Sequence, residues 1–89
     1  MNVVHDRENH RFTMDVKDKM ARVDYSLKND KMYLVYSEVP FEFRGRGYGK
    51  KLVEGTFEKL TAEGYKAVAV CSYIKAVSTR SAKWQSIIG

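Results

Sequence analysis

Arginine and glycine alternate through Arg44-Gly45-Arg46-Gly47-Tyr48-Gly49, and Lys50 and Lys51 follow directly. Glycine lets a backbone approach a ligand closely and accepts φ > 0 without a Cβ clash. An apolar alternating run, Met32 to Glu38, precedes this stretch, and a long amphipathic run follows it and stops at Gly64. The pattern predicts strand, short loop, helix. The first turn of such a helix leaves four amide N–H groups without intrahelical partners, at the positive end of the macrodipole. Guanidinium groups, bare backbone and free amides together make an anion seat, and phosphate is its usual occupant.

Spacing excludes two phosphate loops. A P-loop, G-x-x-x-x-G-K-S/T, would need glycine at Arg44 and a hydroxyl at Lys51, and a dinucleotide fingerprint, G-x-G-x-x-G, would need glycine at Lys50. An RGG-type RNA-contacting segment would lie in low-complexity sequence, whereas this loop sits between two patterned elements.

The elements that must position the loop are legible on both sides. Asn2 to Asp6 predicts a short strand and Arg7-Glu8-Asn9 a turn. His10 to Lys17 alternates with Phe12, Met14 and Val16 on one face, and Lys17-Asp18-Lys19 is a tight connector. Ala21, Val23, Tyr25 and Leu27 then point one way, against Arg22, Asp24, Ser26 and Lys28. Period two with a polar outer face predicts an antiparallel strand, and Asn29-Asp30 a hairpin to Met32–Glu38. Tyr25, Tyr33 and Tyr36 are expected in the core.

The helix is expected from near Gly47 to about Glu63. Its buried half is Tyr48, Leu52, Val53, Phe57 and Leu60, Lys59 and Glu63 are spaced for an ion pair, and Gly64 is the C′ residue. Lys66 to Cys71 is nearly continuous in apolar residues, as in a strand covered on both faces. Strand, helix, strand makes a βαβ unit with a right-handed crossover. The tail predicts a short helix from about Tyr73 to Arg80 and a helical turn packing Trp84. His5 and His10 lie in polar sequence and read as surface groups, with no metal-ligand set around them.

Eighty-nine residues make one domain, spanning 1–89. No apolar run approaches the ~20 residues that cross a bilayer, and the first residues lack a signal-peptide layout. A single cysteine excludes an internal disulfide, so a cytoplasmic location is expected. The net charge of +5 suits an anionic ligand, without choosing between a nucleotide and nucleic acid.

The arrangement Arg/Gln-x-x-Gly-x-Gly/Ala, met here as Arg44 to Gly49, follows Val39-Pro40 and precedes a strand closed by Cys71-Ser72-Tyr73. Together these resemble the pyrophosphate loop and flanks of the GNAT superfamily, the acetyl-CoA-dependent N-acetyltransferases, in its small single-domain branch. The resemblance covers nearly the whole chain and is strongest from Ala21 to Tyr73. It implies a minimal GNAT-like α+β (α/β) fold. Antiparallel N-terminal strands would lead into a βαβ unit whose parallel strands splay apart, and a short C-terminal helix would follow.

The resemblance also implies acetyl-CoA or coenzyme A as cofactor and an amine, small or macromolecular, as acceptor. Arg44, Gly45, Arg46, Gly47, Tyr48 and Gly49 would meet the diphosphate, with Lys50 at the rim and the backbone of Val39 beside the pantetheine arm. Three residues are candidates for the chemistry. Glu38 is a candidate base, or else a solvated edge carboxylate. Cys71 would lie where the thioester lies, either in direct participation or as packing, and a helix starting beside it would favour thiolate. Tyr73 would be the acid for a leaving thiolate, or a packing residue. Lys75, Arg80 and Lys83 could meet a 3′-phosphate, against a default of solvated basic groups.

The chain departs from the pattern in two places. Ser81-Ala82-Lys83-Trp84 stands where relatives often carry a His-Pro-Glu-Tyr-like element, and no helix precedes the loop to wall the acceptor side. An open, shallow acceptor cleft is expected. Two alternatives therefore stand beside a monomeric or weakly dimeric acetyltransferase. One is an acyl-CoA-binding module with little turnover, and the other is a basic protein that contacts nucleic acid or another protein.

Overall fold

A computed structural model describes residues 2–89. Five strands form one sheet in sequence order: β1 (Val3–Asp6), β2 (Arg11–Val16), β3 (Lys19–Lys28), β4 (Lys31–Glu38) and β5 (Lys66–Ala69). β1 to β4 run antiparallel, and β5 pairs parallel to β4. A 3-10 turn at Phe41–Phe43 leads to α1 (Tyr48–Ala62), and α2 (Ser72–Thr79) and α3 (Ala82–Gln85) close the chain.

The core forms on the face that α1 covers. Phe12, Met14 and Val16 of β2, Ala21, Val23 and Tyr25 of β3, and Met32 and Leu34 of β4 are all buried there. From α1 they meet Leu52, Val53, Phe57 and Leu60, the stripe that a 3.6-residue period selects. The hydroxyl of buried Thr56 is satisfied by donating to the Leu52 carbonyl at 2.8 Å. Asn29 and Asp30 both have positive φ, 51° and 64°, the type I′ geometry whose twist suits a two-residue hairpin. Leu27 shares the inward face of its partner Met32 but sits beside this turn at the end of the sheet, where it remains 41% exposed.

α1 ends as expected. Gly64, at φ 87°, donates to the Thr61 carbonyl, and the Tyr65 amide reaches back to Leu60. The expected pairing of Lys59 with Glu63 does not form. Glu63 instead accepts from His5 Nδ1 (2.7 Å) and Arg7 Nη2 (2.6 Å). His5 is therefore not a surface group: its side chain is 2% exposed, stacks on Phe12 and places Nε2 2.6 Å from the Tyr25 hydroxyl. His10 does lie exposed, stacked on Tyr25.

β5 departs from the expectation of a strand covered on both faces. It is four residues long, stands at the sheet edge, and leaves Val70 56% exposed just beyond it. The reason is topological, because the chain has one crossover helix and covers one face of the sheet. Trp84 of α3 joins that same face by packing against Phe57. The opposite face carries a chain of charges, with Asp24 between Arg11 and Arg22, and Arg22 in turn on Glu38. The free edge of β5 is closed by Gly89, whose amide donates to Ala67 and whose carbonyl accepts from Ala69.

Gly55 sits in mid-helix directly over β1, where an added Cβ would run into Cγ2 of Val3. Valine is stiff at χ1 and cannot step aside cheaply. Gly55→Ala should therefore destabilise. Overpacking costs about 1–3 kcal/mol, more than offsetting the roughly 1 kcal/mol that alanine contributes in a helix. Urea unfolding should show a lower midpoint, recovered when Val3→Ala is added. A higher midpoint for Gly55→Ala alone would show that β1 does not press on α1 there.

Candidate functional site

β4 and β5 pair only as far as Leu34 and Ala69. Beyond that point the amides of Val70 and Cys71 both donate to the Leu34 carbonyl, at 2.9 Å each, and the chain turns into α2. β4 meanwhile continues to Glu38 with its β5-facing edge unpaired. The two strands thus form a wedge, with the glycine loop across its mouth.

The loop is held at both ends. Phe43 is buried and meets the Tyr48 ring edge-on at 6.0 Å, and Arg44 Nε donates to the Val39 carbonyl at 3.1 Å. Between these anchors Gly45 and Gly47 take φ of 80° and 82°, with nothing within 4 Å of where a Cβ would stand. Gly47 is the N-cap of α1 and offers no side-chain acceptor, and the first helical turn carries no carboxylate. The N-terminal amides of α1 therefore have neither a side-chain cap nor a local anion, the condition under which they attract one from outside.

A cavity of about 420 Å³ fills the wedge, lined among others by Glu38, Val39, Arg44, Gly45, Gly47 and Tyr73. This is within the usual range for a small-molecule site. The residues present fit a diphosphate-bearing cofactor: the glycines leave open space, the amides are uncapped, Arg44 lines the cavity and Arg46 is exposed on the same loop. Tyr73 stands in the first turn of α2, 45% exposed, with its hydroxyl end over Gly49 where a Cβ would meet it at 2.9 Å. On the far side of this ring a second hollow of about 370 Å³ is lined by Lys50, Glu54, Val77 and Arg80.

A β-bulge decides which side chains enter the wedge. Tyr25 pairs with Leu34 and Asp24 with Tyr36, so Val35 is left without a partner and the alternation inverts after it. Tyr36 consequently faces outward, 45% exposed under the Arg22 guanidinium, instead of joining the core with Tyr25. Glu38 lands opposite Arg22, which donates to its Oε1 at 2.7 Å. Ser37 lands opposite buried Val23 and turns inward, its Oγ 3.6 Å from Cys71 Sγ. Sequence reasoning missed Ser37. The only trace of the inversion was the unbroken apolar run Met32-Tyr33-Leu34-Val35-Tyr36, where strict alternation would place polar residues.

Cys71 is half-buried and occupies the N-cap position of α2, without a side-chain capping bond. Burial pushes its thiol up. The Ile74 amide, the Ser37 hydroxyl and the amides of Tyr73 and Ser37 together outweigh that, leaving the thiol below its ordinary range.

The candidate residues do not all converge on one cavity. Glu38, Val39, Arg44, Gly45, Gly47, Gly49 and Tyr73 line the wedge, and Cys71 touches it through Ser37. Arg46 is exposed on the loop, the Tyr48 ring turns inward to Phe43, and Lys50 belongs to the second hollow. Arg80 joins Lys50 there, while Lys83 lies near Glu58 and over the Trp84 ring. Among the described residues no cluster of three His, Cys, Asp or Glu side chains could hold a metal, and no helix is long and apolar enough to cross a membrane.

Comparison with known proteins agrees with the fold. The solution structure of a GCN5-like protein from Staphylococcus aureus superposes with a TM-score of 0.71 at 22% identity, covering 99% of this chain and 87% of that one. At that identity the likeness speaks for the fold. No curated protein matches the chain. A sequence model described as GCN5-related N-acetyl-transferase matches residues 11–87, which takes in every strand after β1, the glycine loop and all three helices. The chain belongs to the GCN5-related N-acetyltransferase family.

Proposed function

We propose that this protein binds acetyl-CoA in the wedge between β4 and β5 and transfers the acetyl group to an amine. The observation that carries the reading is the parting of two parallel strands above uncapped helix amides and a glycine loop, with a cavity between them. The backbone of Arg44, Gly45, Arg46, Gly47, Tyr48 and Gly49 would hold the diphosphate, with Lys50 beside it. The unpaired edge of β4 up to Val39 would align the pantetheine arm. Each hydrogen bond to an ionised phosphate is worth about 1.5–3 kcal/mol, so a few of them offset the cost of immobilising a flexible ligand.

When bound, acetyl-CoA supplies a thioester carbonyl activated toward transfer. Cys71 is the nucleophile of this reading, and the donors around Sγ hold its negative charge at a lower pH than an ordinary thiol allows. Tyr73 holds a proton at its hydroxyl for a departing thiolate. The amine would then displace Sγ from the acetyl carbon, regenerating the Cys71 thiolate, and Glu38 is the base that would take the amine proton, through Oε2, the oxygen that Arg22 does not engage.

A binding module with little turnover is the second reading, favoured by one observation. No helix precedes β4, so no helix walls the acceptor side of the wedge among the described residues. One titration separates the two. Acetyl-CoA should shift the amides of Arg44 to Lys51 and of Cys71 in an NMR spectrum, and an amine panel should then consume it. Unmoved amides at saturating cofactor rule out both readings, whereas binding without turnover leaves the module. Salt-sensitive affinity for nucleic acid with no response to coenzyme A would point to the basic-surface alternative instead.

A further inference from the structure

The bulge at Val35 has a chemical result at Cys71. An uninterrupted strand would carry Ser37 to the face opposite Leu34 and Met32, away from α1. One unpaired residue turns it inward, and both its hydroxyl and its amide then face Cys71 Sγ from β4. Cys71 itself stands at the N-cap position of α2, so the same sulfur lies beside the first turn of that helix. The Ser37 hydroxyl thus meets the sulfur across the wedge, where β4 and α2 are not hydrogen-bonded to each other. We propose that Ser37 is a positioning residue that fixes the Cys71 side chain across the opening between β4 and α2, through its hydroxyl 3.6 Å from Sγ.

This rests on the acetyl-transfer reading for its use, but the Ser37–Cys71 contact exists without cofactor. No charged side chain is needed to account for it. The titratable groups that line the wedge with Ser37 are Glu38 on β4, paired with Arg22 of β3, Tyr73 on α2, and Arg44, whose Nε is bound to Val39; Lys31, Tyr33 and Tyr36 on β4 and Lys75 on α2 are not among its lining. Removing the hydroxyl should therefore act on the thiolate itself and not on a neighbouring ion pair. A role confined to packing would lower activity equally at every pH. A positioning role loses activity where the thiolate is scarce and recovers as pH rises.

The test is the pH dependence of Cys71 alkylation by iodoacetamide, free of cofactor, beside that of acetyl turnover. In wild type the alkylation midpoint should lie below that of the urea-unfolded chain. Ser37→Ala should move it upward and slow both alkylation and turnover at pH 7 by about three- to tenfold, as loss of one charge-assisted donor implies. The two proteins should converge at high pH, acetyl-CoA affinity should hold, and Ser37→Thr should restore the wild-type profile. Superimposable profiles for wild type and Ser37→Ala overturn the proposal, as does a loss that is the same at every pH. Should Ser37→Ala fail to fold, the wild-type and Ser37→Thr midpoints against the unfolded chain decide the matter, and equal midpoints overturn it. Failure of acetyl-CoA to bind wild type removes the transfer reading and leaves the alkylation result standing, so the two failures are distinguishable.

Discussion

Replacing Gly47 with valine is expected to weaken coenzyme A binding at least tenfold while leaving most of the fold intact. Gly47 sits at φ 82°, ψ 1°, as the N-cap of α1. A left-handed conformation costs an L-residue roughly 1–2 kcal/mol, and a β-branched one more. The loop would relieve that strain by rotating the peptides on either side. Those peptides carry the amides that would face the diphosphate, so relief of strain and loss of the seat are one event. Each 1.4 kcal/mol lost is a factor of ten in affinity. Gly64→Val is the control, because Gly64 has the same kind of strain (φ 87°) at the opposite end of α1. It should lower stability by a similar amount and leave affinity alone. Isothermal titration of both variants decides: equal affinity for Gly47→Val and wild type would place the anion seat elsewhere.

Cys71→Ala carries the other large effect. If the thiolate is the reacting group, turnover should fall by about 10²–10³, the scale on which such groups act, with coenzyme A affinity unchanged. The pH profile gives a second handle. The folded-state pKa of Cys71 is lowered, so the thiolate fraction, and with it the rate, rises with pH through a midpoint below that of an ordinary thiol. Linkage runs in the same sense: a depressed folded pKa favours the folded state above the unfolded value. That contribution is lost as pH falls through the folded one. Cys71→Ala should flatten both dependences. Steady-state kinetics across pH would expose the error, because a variant with wild-type turnover makes Cys71 a packing residue.

Membership of the family and most of the fold were readable without coordinates because they rest on local chemistry. Gly45, Gly47 and Gly64 are glycines where φ is positive, Asn29-Asp30 forms the hairpin that residues tolerant of αL form, and α1 buries the stripe its period defines. The C-terminal helices were expected in nearly their observed places, with Ser81 capping the second through the Trp84 amide. In each case a residue and its near neighbours carry the whole cause.

What local pattern could not reach depends on partners distant in sequence. His5 reads as a polar surface residue until α1 brings Glu63 to it, and Glu63 reads as a partner for Lys59 until β1 brings His5. The apolar run at β5 implied two covered faces, yet whether a second helix layer exists is a property of the whole topology. The bulge matters most for function. Alternation along β4 is a local rule, but skipping Val35 is decided by the register against β3, and that single slip assigns Ser37 to the wedge and Glu38 to Arg22. The composition of the candidate anion seat was therefore written in the order of the residues. The composition of the thiol's surroundings was settled only when two strands and a helix were packed against one another.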